Sequence, residues 1–473
     1  MIELKKGNEI ELVVENLSFG GKGLARVNGF VVFIDRTIPG QRVLVRITRK
    51  KTSYAEARVL EVLEDSPLAI SPRCSHFGTC GGCLWQNLPY QEQLKVKRNL
   101  VWECLAHIGG LSQDVVLQTL PSPQIFYYRN KMEFSFAPRR WLLPEEIDRQ
   151  PLKKPRNFAL GLHVKGFYNR VLDIEECHLQ NPLSAAIVKQ VRQFALASGL
   201  PPYNTIDHTG FWRFLVVRDS KHSGQILVEL ITAPDLNRSS PVEELASILL
   251  AEIPEITTII HGVSEKKAQI ASADTQKVIF GPGYIEERLG DFHFRISSGA
   301  FFQTNSEASK ILLDQVQAGC ALTGREVVWD LYCGTGTMAI GVANNARSVV
   351  GFELAEEALA DARINARLNN VDNCEFVLGD LNGFLDDLSF LVERYGSPDV
   401  VVTDPPRAGM HPSAIKQLAD LAPPRIVSVS CNPATLARDV KMLMEKYHLL
   451  RVQPVDMFPH TPHIETVAIL ERK

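Results

Sequence analysis

No apolar run in this 473-residue chain approaches the roughly 18–20 residues that a membrane helix needs, so no membrane partner is expected. The opening residues Met1-Ile2-Glu3-Leu4-Lys5-Lys6 lack the apolar stretch of a secretory signal, and the protein is expected to be cytoplasmic. Neither sign of charge dominates. There are 51 Lys and Arg against 54 Asp and Glu, for a net charge of −3. That excludes a uniformly basic nucleic-acid coat and a strongly acidic disordered tail, but not a local basic patch. There is no repeat of 20–50 residues and no low-complexity tract. What is present is ordinary core material: hydrophobic residues make up 45% and charged residues 22%. Such a chain has no need of disulfide staples. Its nine cysteines are therefore read as metal ligands, nucleophiles or small core residues. At about 150 residues per domain, the length predicts three domains.

The first is set off by charge. Residues 1–60 hold 11 Lys and Arg against 6 Asp and Glu, so the remainder of the chain carries the acidic excess. Short alternating runs at 10–14, 30–34 and 42–47, separated by Gly20-Gly21, Gly23 and Pro39-Gly40, predict a small β-barrel of the kind that often holds nucleic acid. Arg46, Arg49, Lys50 and Lys51 lie at or beside a strand end. A helix is expected over 90–108. Residues 121–300 alternate strand runs with polar loops, and 139–157, rich in Arg, Lys, Pro and acids, reads as a mobile surface loop. From about 305, strand runs at 326–331, 348–353, 375–378, 399–403 and 425–430 alternate with helical runs. This is the pattern of a doubly wound α/β sheet.

Within that pattern, Val327 to Tyr332 runs into Cys333-Gly334-Thr335-Gly336-Thr337, a turn whose glycines let backbone approach a ligand. Residues 334–339 also fit a dinucleotide fingerprint, which is weak evidence alone. Asp330, just before the turn, opposes a pyrophosphate but suits a ligand carrying ammonium and sulfonium groups, such as S-adenosylmethionine. Glu353, at the next strand end, could hold ribose hydroxyls. Asp380, after the third, could meet an adenine.

Two further strand ends carry reactive groups. Ser430-Cys431-Asn432-Pro433 places a thiol at the carboxyl edge of the sheet, where open α/β folds bind ligands. A thiolate there is a competent nucleophile. Glu465 precedes the terminal strand and could serve as general base in the same crevice. His460 and His463 read as loop or orienting residues. Earlier, Cys74, Cys80 and Cys83 form a compact trio, with Cys177 at a distance. Four thiolates suit either zinc or an iron–sulfur cluster, and a trio plus one distant cysteine suits a [4Fe-4S] cluster better.

With these motifs in view, the chain resembles the RNA uracil-5-methyltransferases, especially the bacterial 23S rRNA (uracil-5-)-methyltransferases, along nearly its whole length. The resemblance rests on the TRAM-like amino-terminal barrel, the four cysteines, Gly299 to Asn305 (GAFFQTN), Asp330 to Gly336, Asp404-Pro405-Pro406-Arg407, Ser430 to Pro433 and His463 to Thr466. It implies Cys431 as nucleophile and Glu465 as base. It implies an S-adenosylmethionine site at Gln303, Tyr332, Thr337, Glu353, Asp380 and Asp404, and [4Fe-4S] ligands at Cys74, Cys80, Cys83 and Cys177. The expected architecture is a TRAM-like barrel over 1–66, a central α+β domain over 67–300 and an α/β methyltransferase domain over 301–473, the helix near 90–120 packing on the last. The expected partner is RNA and not DNA, the protein acting as a monomer. 23S rRNA is the first expectation and the tRNA T-loop the second. An iron–sulfur dinucleotide oxidoreductase and a non-enzymatic RNA-binding protein are the competing classes.

Overall fold

The computed structural model describes residues 4–112, 115–148, 151–167, 169–234, 240–379 and 388–473. Its first strands are β1 (Glu9–Val13), β2 (Asn16–Leu17), β3 (Gly23–Val27), β4 (Phe30–Asp35), β5 (Arg42–Lys50) and β6 (Tyr54–Glu64). They form one sheet in the order β1-β5-β6-β4-β3-β2. Period-two alternation turns Ile10, Leu12, Val32, Ile34, Val43, Val45 and Ile47 inward onto a core of the barrel's own. On the outer face Arg42 pairs with Glu11 and Glu64, and Arg46 with Glu9. Arg49, Lys50 and Lys51 extend past these pairs and are exposed.

Helix α1 (Tyr90–Cys104) continues into a single π-helical turn, Leu105–Gly109. Val101, Cys104 and Leu105 sink into a core shared with Val327, Trp329, Val401, Ile426 and Leu436 of the carboxy-terminal sheet and its helices.

The central sheet comprises β7 (Lys131–Ala137), β8 (Ala159–His163), β9 (Val171–Asp173), β10 (Trp212–Asp219), β11 (Ile226–Thr232), β12 (Ile256–Val263) and β13 (Thr275–Phe280). Interleaved with these are α2 (Pro144–Ile147), α3 (Leu183–Ala197) and α4 (Ser240–Glu252). The sheet order is β13-β12-β11-β10-β7-β8-β9, and α3 and α4 cover a core with Phe134, Leu215, Val228 and Ile259. Within the 139–157 stretch, expected as a mobile loop, the described residues include the buried Arg140. Its guanidinium bonds Glu146 and the carbonyls of Lys154 and Pro155. A buried guanidinium needs such acceptors, so local polarity here signals an internal anchor.

A hairpin follows, β14 (Tyr284–Leu289) and β15 (Phe292–Ser297), whose Ile285, Leu289, Phe294 and Ile296 pack into the next core. The last unit contains α5 (Ser306–Cys320), β16 (Val327–Leu331), α6 (Thr337–Ala343), β17 (Ser348–Glu353), α7 (Glu356–Leu368), β18 (Cys374–Leu378) and α8 (Leu388–Tyr395). It ends with β19 (Val400–Thr403), α9 (Pro412–Leu421), β20 (Arg425–Ser430), α10 (Pro433–Leu443), β21 (Tyr447–Val455) and β22 (Glu465–Arg472). The strand order is β18-β17-β16-β19-β20-β22-β21. β16 to β20 are parallel, and β22 is antiparallel to both neighbours. Direction of winding reverses between β16 and β19, which opens a crevice at their carboxyl ends. Among the described residues no helix is long and apolar enough to cross a membrane.

Candidate active site

The crevice is a cavity of about 1270 Å³, larger than the 300–1,000 Å³ usual for one small ligand. Gln303, Tyr332, Glu353, Asp404, Cys431 and Glu465 all line it. Side chains from distant parts of the sequence thus meet at one sheet edge.

The floor is the glycine turn after β16. Tyr332, Gly334 and Gly336 have φ of 69°, 55° and 83°. A Cβ on Gly336 would meet Ala362, Phe376 and Ile340 at 3.1–3.2 Å, so close packing as well as φ calls for glycine there. Glu353 straps the turn to β17. It accepts the N–H of Gly334 at 3.1 Å and those of Leu354 and Ala355 at 2.8 and 3.0 Å.

Two expectations change in detail, and a third is not tested. Thr337 opens α6 and is half-buried, but it does not line the cavity. Asp380 lies outside the described residues. Asp330 is fully buried beneath the turn and is also not in the cavity wall. β16 is buried along its whole length, and there burial and Asp404 hold the Asp330 carboxyl well above the usual range. Its charge cannot meet a ligand directly. Acids that can are Glu353 and the half-buried Asp404, which burial raises to about 6. These acids, with Tyr332 and Gln303, fit the cationic end and the ribose of S-adenosylmethionine.

Cys431 follows β20 and stands just before α10. Asn432 caps that helix, accepting from the Ala434 N–H at 3.1 Å, and Pro433 starts it. A thiolate at a helix N-terminus is stabilised by the dipole. Burial and the carboxylates of Glu465 and Asp404 act the other way and push the thiol up to about 11, while Arg407 opposes them. Glu465 opens β22, almost fully buried. Burial and Asp404 raise it well above the usual carboxylate range, again opposed by Arg407. The Arg407 guanidinium at the cavity rim thus favours the charged form of both reactive groups. In the sequence this arginine stands inside a recognisable motif, but nothing local assigns it a role. The same holds for Arg129 and Phe458, which share the wall.

Cys74, Cys80, Cys83 and Cys177 line an adjoining cavity of about 920 Å³, separate from but bordering the first at Arg129, Phe301, Phe458 and His463. The expected [4Fe-4S] set is not drawn together. Among the described residues no three His, Cys, Asp or Glu side chains are grouped to hold a metal ion. Burial raises Cys80 to about 11 and Cys83 to about 12, and the Cys177 charge adds to both. The chemistry of the donor set, four soft ligands facing one space, still suits iron–sulfur.

Comparison with known proteins agrees with this geometry. Residues 255–473 match the family described as tRNA (Uracil-5-)-methyltransferase, and residues 3–60 match the TRAM domain. An uncharacterized RNA methyltransferase of Chlorobaculum tepidum is 41% identical, over 100% of this chain and 98% of its own length. One from Nitratidesulfovibrio vulgaris is also 41% identical, over 99% and 97%. The crystal structure of Pyrococcus abyssi tRNA (uracil-54, C5)-methyltransferase in complex with S-adenosyl-L-homocysteine superposes with a TM-score of 0.73. It is 28% identical and covers 98% of this chain and 100% of that one.

Proposed function

Because this chain belongs to the RNA uracil-5-methyltransferase family in its TRAM-bearing form, we propose that it methylates carbon 5 of a uridine in folded RNA through a covalent adduct on Cys431. The observation that carries this reading is the convergence of a thiol, a buried carboxylate and the acid-lined glycine turn in one cavity.

Carbon 5 of uracil is a weak nucleophile. The Cys431 thiolate adds to carbon 6, and the electron pair of the C5–C6 bond moves toward the carbonyl, giving an enolate. Glu353, Asp404, Tyr332 and Gln303 line the cavity that would hold S-adenosylmethionine, whose sulfonium would give its methyl group to the carbon 5 so activated and leave as the thioether S-adenosylhomocysteine. Glu465 then takes the carbon 5 proton, the C5–C6 double bond re-forms, and the C6–S bond breaks to return the thiolate. Arg407 favours the thiolate and the free carboxylate before RNA arrives. The uridine must leave its stack to enter this crevice, so a loop or bulge is the substrate geometry.

We take 23S rRNA as the substrate, on the likeness of the full motif set. The tRNA T-loop is the second reading, favoured by the Pyrococcus structure, which acts on tRNA uracil-54. Cys74, Cys80, Cys83 and Cys177 are the side chains that would hold a [4Fe-4S] cluster, which would shape the RNA-binding face and take no part in methyl transfer. Protein purified without oxygen is expected to carry iron and acid-labile sulfide, lost in Cys83→Ser. Absence of both from wild type removes the cluster.

The test of function uses 5-fluorouridine RNA with S-adenosylmethionine. Fluorine at carbon 5 blocks the proton removal, so a protein–RNA band that survives denaturation is expected, and Cys431→Ala should abolish it. The RNA that forms the band, 23S fragments or tRNA transcripts, names the substrate. No band with either RNA would overturn the covalent mechanism.

A further inference from the structure

The base Glu465 is delivered by the connection between β21 and β22 (456–464), and this connection is gripped from outside its own sheet. Lys97 of α1, fully buried, donates to Asp456, also fully buried, and to the Phe458 carbonyl at 2.9 Å. Asn305 donates to the Met457 carbonyl at 3.0 Å, and the Tyr128 hydroxyl to that of Pro459 at 3.1 Å.

The tightest grip is on His460. It is buried, with φ of 66°, a conformation that a non-glycine residue keeps only where its surroundings impose it. Its carbonyl accepts the N–H groups of Leu84 and Trp85, at 2.9 and 3.1 Å, directly after Cys83. Its ring stacks on Phe126 at 4.4 Å, and the Arg73 guanidinium, one residue before Cys74, covers the Phe126 ring at 5.1 Å.

One amide joins all of these. Gln93 is fully buried. Its oxygen accepts the His460 N–H at 2.8 Å, and its nitrogen faces the His460 Nδ1 at 3.2 Å. The same nitrogen donates to the Trp85 and Leu88 carbonyls at 3.0 and 2.8 Å. No apolar side chain can replace an amide that meets a donor and three acceptors at once. Burial lowers the His460 pKa to about 4 and keeps the ring neutral, so that Nδ1 can accept from this amide when the ring proton is on Nε2.

We propose that Gln93 is a positioning residue for Glu465, welding the cysteine-bearing segment and α1 to the connection that carries the base. The inference rests on the reading of Glu465 as base. It separates two halves of the reaction. Addition of Cys431 and methyl transfer depend on β20 and the glycine turn, which Gln93 does not touch. Proton removal depends on where the 456–464 connection leaves Glu465, and a misplacement of ~1 Å costs about 100-fold in rate.

The experiment uses the full-length protein with Gln93→Met, an unbranched apolar replacement, and His460→Asn, which tolerates positive φ but lacks the ring. S-adenosylmethionine binding and far-UV circular dichroism confirm folding. Adduct formation on 5-fluorouridine RNA is expected to stay within about twofold of wild type, whereas turnover on ordinary uridine RNA falls about 100-fold in Gln93→Met and less in His460→Asn. A covalent RNA–protein band on ordinary RNA should accumulate as in Glu465→Gln. Turnover within about twofold of wild type in both variants overturns the proposal. So does an equal fall of adduct formation and turnover in either folded variant, since that marks a merely structural role. If wild type itself forms no Cys431-dependent adduct, it is the covalent mechanism that fails, and normal turnover of Glu465→Gln would remove the base on which the proposal rests. An adduct with no split between the two readouts removes Gln93 alone.

Discussion

At the scale of single residues, Arg407 is the cation that opposes burial at both Cys431 and Glu465. In the proposed mechanism Cys431 and Glu465 must both lose protons to act, and burial opposes both losses. A nucleophile and a base held above their usual pKa work only as pH rises through those values. The rate of adduct formation is therefore expected to climb from neutral pH toward the alkaline side, and Arg407→Ala should move the profile further up. We expect a fall of about tenfold at neutral pH, the equivalent of one pKa unit, while S-adenosylmethionine binding is retained. A pH–rate profile unchanged by that substitution would remove Arg407 from the activation of the thiol. Glu465→Gln should leave methyl transfer in place and stall release, so that a denaturation-resistant adduct forms on ordinary uridine RNA. Normal turnover by that variant would assign the proton to another group.

At the scale of elements, the site depends on how two helices begin. Asn432 caps α10 and also donates to the Arg407 carbonyl at 3.0 Å, so one side chain fixes the thiol beside it and the arginine facing it. Asn432→Ala should cost ~1 kcal/mol of stability as a lost cap. It should slow adduct formation by more than that loss of stability explains. Chemical denaturation and single-turnover rates on the same sample separate the two effects. Asn305 plays a related part for α5. It accepts the Ala308 N–H at 3.1 Å and donates to Ser122 and Met457. The FFQTN stretch therefore ends in a cap that reaches the connection before Glu465. The glycine turn is the third device. Gly336→Ala meets both a positive φ and three crowded carbon atoms, and should weaken S-adenosylmethionine binding in a calorimetric titration.

At the scale of the whole molecule, three units converge on one face. The barrel touches the catalytic connection through Gly21, where a Cβ would lie 3.0 Å from Pro462. Lys165 of the central domain pairs with Asp35 of the barrel at 3.2 Å. Arg26, Arg42 and Arg46 of the barrel sheet pair with neighbouring acids, while Arg49, Lys50 and Lys51 are exposed, and we propose that they meet RNA phosphates. Replacing these three with alanine should weaken RNA binding uniformly across sequences. The slope of log affinity against log salt should fall by up to about 2–3, close to one for each phosphate no longer neutralised. An unchanged slope would place the RNA elsewhere.

The strands of the carboxy-terminal sheet were legible in the chain because each is a short apolar run between turn residues. Expected strands at 326–331, 348–353, 399–403 and 425–430 correspond to β16, β17, β19 and β20. Local rules also sufficed to read Cys431, Glu353 and Glu465 as strand-end residues, since the carboxyl edge of a parallel sheet follows from the order of elements. What local rules cannot carry is depth. Asp330 and Glu353 read alike as strand-end acids, yet one is sealed under the turn and the other straps it. The difference lies in the packed chain, where Asp330 is fully buried and Glu353 accepts the Gly334 N–H. Nor can they reveal partners that are distant in sequence. Gln93 and His460 stand 367 positions apart, and on a helix read alone Gln93 and Lys97 look like a solvated face. The sequence by itself determined which residues could do chemistry and which strand ends would hold them. Tertiary structure alone decided which of them share a cavity, because burial and hydrogen-bond partners are properties of the packed chain and not of its local pattern.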